Sequence, residues 1–205
     1  MNRDLRIEDN RTPVTRVRLK ILTSPLWVEA VLSDFDSFLQ DHANCERKAS
    51  GSAMNMVSHY PDRKELVSAM IDLAREELRH FSQVYRHMAA RGLMLGPDRK
   101  DPYIRRLSQE YRKGSEGYFL DRLLVAGILE ARGCERFGLI ASALPPGPLK
   151  IFYGDITRSE IRHEGLYVSL AHLYFDPAAV ETRLDELLEA EARIVAELPT
   201  RPALH

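Results

Sequence analysis

Two stretches of this chain place a carboxylate and an imidazole three residues apart in strongly helical surroundings. They are Asp72-Leu73-Ala74-Arg75-Glu76-Glu77-Leu78-Arg79-His80 and Asp155-Ile156-Thr157-Arg158-Ser159-Glu160-Ile161-Arg162-His163. Each runs Asp, then Glu five residues on, then His three further. On a helix, positions i and i+3 share a face about one turn apart, so Glu77 with His80, and Glu160 with His163, can address one point. Two Glu-x-x-His pairs, joined by one glutamate from each of two further helices, make the ligand set of a carboxylate-bridged di-metal site. The remaining sequence must then supply two glutamates.

The elements that position these residues can be read from caps and breaks. Thr23-Ser24-Pro25 is a helix start, a hydroxyl cap followed by proline, and opens a first helix from Leu26 to about His59 that Gly51-Ser52 is expected to bend. Tyr60-Pro61-Asp62 breaks the chain, with Asp62 as the cap of a second helix that runs to about Arg91 and stops at Gly92. Residues 92 to 117 form a long connection holding a short helix within Tyr103 to Lys113. A third helix spans Tyr118 to Leu144, the Pro145-Pro146-Gly147-Pro148 turn follows, and a fourth spans Leu149 to Phe175. Asp176-Pro177 opens a fifth, acidic helix to about Glu197, and nothing reads as a strand. Short, long, short connections predict an all-α, ferritin-like four-helix bundle with one long crossover and an additional C-terminal helix. The domain is expected over residues 23–198, after a basic polar segment over residues 1–22.

The two further glutamates follow from hairpin geometry, because residues equidistant from a tight turn sit side by side. Opposite Glu77 across the Pro61-Asp62 turn lies Glu46, and opposite Glu160 across the Pro145-Pro146 turn lies Glu130. Small residues surround both, Ala43, Ala49 and Ala53 beside Glu46 and Ala126, Gly127 and Ala131 beside Glu130. Glu135 mirrors Glu160 almost as well, but five residues from Glu130 turn it about 140° around the helix. Matched spacing selects Glu130 and leaves Glu135 to support the site or to pair with an arginine. Asp72 and Asp155 either orient the histidines from behind or form surface salt bridges, and His42, one turn before Glu46, either supports it or is a satisfied core histidine. Four buried carboxylates need compensating charge, and an oxygen-rich shell with two histidines suits two iron ions, with manganese as the alternative.

Length and composition permit this reading. A chain of 205 residues with net charge −1 fits one domain and carries no global sign of a nucleic-acid binder. Two cysteines are too few for a disulfide framework, and no stretch approaches the roughly 20 apolar residues of a membrane span. A cytoplasmic location, with no membrane partner, is expected.

Asp41-His42-Ala43-Asn44-Cys45-Glu46, Arg75-Glu76-Glu77-Leu78-Arg79-His80-Phe81, Glu130-Ala131-Arg132-Gly133-Cys134-Glu135-Arg136-Phe137 and Glu160-Ile161-Arg162-His163-Glu164 resemble the tRNA hydroxylase family MiaE. The resemblance covers roughly residues 20 to 198, and departs at Gly133, where a serine is expected. It implies a non-haem di-iron centre held by Glu46, Glu77, His80, Glu130, Glu160 and His163. With O₂ as co-substrate, that centre would hydroxylate the isopentenyl side chain of 2-methylthio-N6-isopentenyladenosine beside the anticodon of tRNA. No flavin or ferredoxin motif is present, so an external reductase is expected to supply electrons.

The tRNA would be gripped by the long connection, where Arg99, Lys100, Arg105, Arg106, Arg112 and Lys113 interleave with Tyr103 and Tyr111. A solvated, salt-bridged surface is the plain alternative. RNA is expected to avoid the acidic last helix. Two other functions fit the ligand pattern, a ferritin-like oxidase or hydroxylase of small molecules and a bundle that merely binds metal.

Overall fold

Turns marked by proline and glycine build two long helical hairpins. The computed structural model describes residues 16–97 and 100–205. Within them the chain forms α1 (Pro25–Ser33), α2 (Phe35–His59), α3 (Lys64–Ala90), α4 (Pro102–Leu107) with a following 3-10 turn (Ser108–Glu110), α5 (Ser115–Ala143), α6 (Pro148–Tyr174) and α7 (Pro177–Glu197). The described residues contain no strand. Helices α2 and α3 pack as one hairpin and α5 and α6 as the other, α3 also packs on α6, and the connection carrying α4 crosses the bundle. This is the ferritin-like arrangement, with α7 laid over α4 and α5.

The first helix expected from the sequence is two helices. At Asp34 the backbone leaves helical geometry (φ −140°, ψ 63°) and its carboxylate accepts a hydrogen bond from the Ser37 amide at 3.2 Å, which caps α2. A side-chain acceptor offers the amides of a new first turn an alternative to continuing the old helix. Helix α2 runs through Gly51 without interruption. Asp62 is not the cap of α3, whose first residue is Lys64. Gly92 stops α3 as expected: at φ +71° it allows the Gly92 and Leu93 amides to close onto the Ala89 and Met88 carbonyls, both at 3.0 Å.

Register within the hairpins is pinned alike on both sides. Ser50, four residues after Glu46, donates to the carbonyl of Ala74, three before Glu77, at 2.8 Å. Cys134, four after Glu130, donates to the carbonyl of Thr157, three before Glu160, at 3.6 Å. Equal offsets set both glutamate pairs level. Apolar packing splits into two clusters, one around Leu66, Phe119, Leu123 and Val168, the other around Phe38, Val84, Phe137 and Tyr153. On α2, α3 and α6 the glutamate falls between the two clusters, and on α5 Glu130 sits at the edge of the first, so a polar layer crosses the core.

A second buried polar network fastens the outer elements. The Arg132 guanidinium donates to both carboxylate oxygens of Glu191 on α7, at 2.9 and 3.0 Å, and to Glu135, Thr23 and the Ile21 carbonyl. The Tyr103 hydroxyl of α4 donates to the same Glu191 at 2.9 Å. After α7 the chain returns over the bundle: the Trp27 indole donates to the Ala203 carbonyl at 2.9 Å, the Leu204 amide to Asp41 at 2.7 Å, and Arg136 to the Leu204 carbonyl at 2.5 Å. Residues 198–205 thus pack on the helices they follow.

Candidate metal centre

Glu46 from α2, Glu77 and His80 from α3, Glu130 from α5, and Glu160 and His163 from α6 converge in the polar layer. All are buried except Glu130, which is half-buried. Their donor atoms form two overlapping sets, Glu46, Glu77, His80 and Glu160, and Glu77, Glu130, Glu160 and His163, each with every atom within 4.8 Å of the others. Glu77 and Glu160 belong to both, as bridging carboxylates would. Nδ1 of His80 lies 3.2 Å from Glu77, 3.5 Å from Glu160 and 3.6 Å from Glu46; Nδ1 of His163 lies 2.7 Å from Glu77 and 3.3 Å from Glu160.

Those distances do not amount to a satisfied hydrogen-bond network. Oε1 of Glu77 and Oε1 of Glu160 are buried without an aligned partner among the described residues, although His163 Nδ1 stands 2.7 Å from the former. The atoms aim past one another at common points, the arrangement expected of groups that share cations. Protons reveal the same demand for positive charge. Burial and then the neighbouring carboxylate push Glu46 and Glu130 well above the ordinary range. Burial opposes charge on the histidines too, but Glu46 and Glu77 hold His80 up at about 10, and Glu160 and Glu77 hold His163 up at about 12. Burial likewise opposes ionisation of Glu77, yet its contacts with His163 and His80 hold it below the ordinary range. A donor set of four carboxylates and two imidazoles with paired, unshared oxygens fits two divalent ions, and its hard oxygens suit iron or manganese.

Supporting groups divide sharply. His42 is fully buried, with Nε2 2.7 Å from Glu46 and Nδ1 3.1 Å from the Tyr153 hydroxyl. Burial lowers it to about 3, so the ring is neutral and divides one donor and one acceptor between Tyr153 and Glu46. Glu135 accepts from the amide and hydroxyl of Thr23, both at 2.7 Å, and pairs with Arg132, on a face turned away from the centre. Asp72 and Asp155 do not support the histidines. Their side chains are 75% and 58% exposed and pair with Arg75 and Arg158 on their own helices. Five residues before a ligand is about 140° around the helix, so an aspartate there faces outward when the glutamate faces inward. The group missed in the sequence is Glu76. Its Oε2 lies 3.3 Å from Nε2 of His163, and its Oε1 accepts from Ser159 at 2.7 Å and Arg162 at 2.6 Å. Its only signal was adjacency to Glu77.

The basic crossover is placed otherwise than expected. Arg106 pairs with Glu197 of the acidic α7, and Arg112 donates to Asp121 through its amide at 2.7 Å and its guanidinium at 2.8 Å, beside Arg183. These two arginines fasten the crossover to the bundle, next to the acidic helix rather than opposite it. Lys100, Arg105 and Lys113 are exposed, and Arg99 lies outside the described residues.

A cavity of about 210 Å³ opens onto the centre. Glu46, Glu77, Glu130 and Glu160 border it while neither ligand histidine does, so it meets the carboxylate face. Its walls are largely apolar, from Ala49, Ala126, Leu129, Phe137 and Tyr167, with Ile104 of α4 and Leu204 closing one side. Gly133 also lines it, and a side chain there would make only ordinary contact, 3.8 Å from Phe137. No helix of the described residues is long and apolar enough to cross a membrane.

Known proteins resemble this chain in sequence and in fold. The chain is 36% identical over 173 residues to a Pseudomonas putida protein named tRNA 2-(methylsulfanyl)-N(6)-isopentenyladenosine(37) hydroxylase, covering 84% of each chain. It is 31% identical over 163 residues to a Salmonella typhimurium protein of the same name, covering 76% of this chain and 56% of that one. Its fold superposes with a TM-score of 0.87 on a Synechococcus structure titled "Protein 43 with aldehyde deformylating oxygenase activity", at 40% identity and covering 92% of this chain and 93% of that one. A family profile described as tRNA-(MS[2]IO[6]A)-hydroxylase (MiaE) matches residues 11–205. With the profile spanning nearly the whole chain and the fold and buried carboxylate cluster in agreement, this protein, an enzyme, belongs to the MiaE family.

Proposed function

We propose that this enzyme hydroxylates the isopentenyl side chain of 2-methylthio-N6-isopentenyladenosine in tRNA, at a di-iron centre held by Glu46, Glu77, His80, Glu130, Glu160 and His163. The observation that carries the reading is the contact between an apolar cavity and the carboxylate face of a cluster in which Glu77 and Glu160 each keep one buried oxygen without a hydrogen-bond partner among the described residues. The family and the names of its relatives direct the choice of substrate.

Two iron ions, when bound, supply the reductive activation of O₂ that insertion of oxygen into a C–H bond requires. The chain does the rest. Ala49, Ala126, Leu129 and Phe137 take up a prenyl group by burying its methyls, and in doing so exclude water from the reacting carbon. The Tyr153-His42-Glu46 chain of hydrogen bonds fixes Glu46 at the cavity edge. His80 and His163 stand behind the centre, leaving the cavity side to the glutamates. Electrons come from a separate donor.

The Synechococcus structure favours a second reading, a di-iron oxygenase of small aldehydes, since the same apolar walls suit an aliphatic chain. Mass spectrometry of tRNA nucleosides decides between them. A deletion strain should lack the hydroxylated nucleoside and regain it with the wild-type gene but not with Glu77→Ala. Unchanged nucleosides, with aldehyde consumed by the purified enzyme, would establish the second reading instead.

A further inference from the structure

We propose that His205 recognises the base that carries the prenyl group, supplying the hydrogen bond by which the cavity discriminates an N6-alkylated adenine. The inference rests on the tRNA-hydroxylase reading above. His205 lines the same cavity as Glu46, Glu130 and Glu160, where most of the other wall residues are apolar. Both its ring nitrogens are buried, and neither has a hydrogen-bond partner among the described residues. The ring passes close to the Leu129 carbonyl without the alignment of a bond. Buried polar groups are nearly always satisfied, so an imidazole with both nitrogens idle at a cavity wall awaits a ligand's polar atoms.

The ring is also held ready. It stacks on Tyr103 with centroids 5.3 Å apart and planes within 2°, and Tyr103 is itself fixed by its bond to Glu191. Arg201 donates to the His205 carbonyl at 3.1 Å, and the preceding residue is tied at both its amide and its carbonyl, to Asp41 and Arg136. Such anchoring removes the ordering cost that a loose side chain would charge against binding. Burial, outweighing the nearby Asp101, lowers the ring to about 4 and keeps it neutral, so it offers one donor and one acceptor. An N6-alkylated adenine presents ring-nitrogen acceptors and a single N6–H donor, and either matches this imidazole while the alkyl group lies toward the glutamates. Plain adenine carries the same edge but no alkyl group to seat in the apolar cavity, so the bond forms only with the alkylated base.

The test compares binding of two anticodon stem-loops, one with N6-isopentenyladenosine beside the anticodon and one with adenosine there, by fluorescence anisotropy. His205→Phe keeps an aromatic ring to stack on Tyr103 but has no hydrogen-bonding atom, and His205→Gln restores a donor and an acceptor. Wild-type protein should prefer the prenylated RNA. His205→Phe should lose about tenfold of that preference, the value of one net hydrogen bond, with an unchanged melting temperature and iron content, and His205→Gln should recover part of it. A His205→Phe protein that discriminates as well as wild type would reduce His205 to a wall of the cavity and overturn the proposal alone. Absence of any preference in the wild-type protein would overturn the substrate reading together with it.

Discussion

At the scale of single residues, what decides a role here is which way a side chain turns on its helix. Glu77 and His80 face inward together because three residues span about one turn, and that rule was legible in the sequence on both repeats. Asp72 and Asp155 repeat just as faithfully yet point to solvent, because an offset of five residues carries them about 140° away. Replacing His80 by Ala should therefore abolish iron retention and hydroxylation together, whereas Asp72→Ala should leave both at wild-type levels, as measured by elemental analysis and nucleoside mass spectrometry. Glu76 was hidden beside Glu77, and only the packing of α3 on α6 shows that it reaches His163.

Protonation gives a second test at this scale. The metal-free site holds His80 and His163 protonated at neutral pH, since both are raised from the usual 6.5, to about 10 and about 12. Their favourable contribution to metal-free stability is full below about pH 6.5 and is lost as pH rises through 10 to 12. Ligation requires neutral imidazoles, so metal uptake at pH 7 should release protons and weaken as pH falls. Calorimetric titration of the metal-free protein in two buffers of different ionisation enthalpy measures this release; identical heats would contradict it.

At the scale of elements, hairpins were the legible unit and their surroundings were not. Mirror positions about a tight turn follow from chain geometry alone, and the Ser50 and Cys134 contacts show the matching registers. The break at Asp34 was lost inside a continuous apolar pattern, because one capping carboxylate in place of one helical residue leaves little trace in periodicity. The packing of α7 on the crossover depends on Arg132, Tyr103 and Glu191 meeting across three elements, which no local pattern encodes. Removing the fully buried Glu191 carboxylate takes the two-pronged partner from Arg132, which keeps Glu135, and the acceptor from Tyr103, so Glu191→Ala should cost about 1–3 kcal/mol in urea unfolding. Bound iron should be unchanged, since this network lies outside the metal layer.

Considered whole, the molecule presents a cavity to the centre and engages part of its positive charge in ion pairs. Net charge of −1 hid the local excess on the crossover, and the sequence could not say which of its cations were already engaged. With Arg106 on Glu197 and Arg112 on Asp121, the exposed Arg105 is the expected phosphate contact under the proposed tRNA reading. Arg105→Ala should lower the slope of log affinity for tRNA against log salt by about 0.9, and Arg106→Ala should leave it nearly unchanged. A slope unaltered by Arg105→Ala would assign that residue to the solvated surface.

The proposed centre, six side chains from four helices holding two metal ions, is open to anomalous diffraction at the iron edge from crystals grown with ferrous iron. Two peaks are expected about 3.5–4 Å apart, bridged by Glu77 and Glu160, with Glu46 and His80 on one and Glu130 and His163 on the other. A single peak, or iron bound away from these residues, would contradict it.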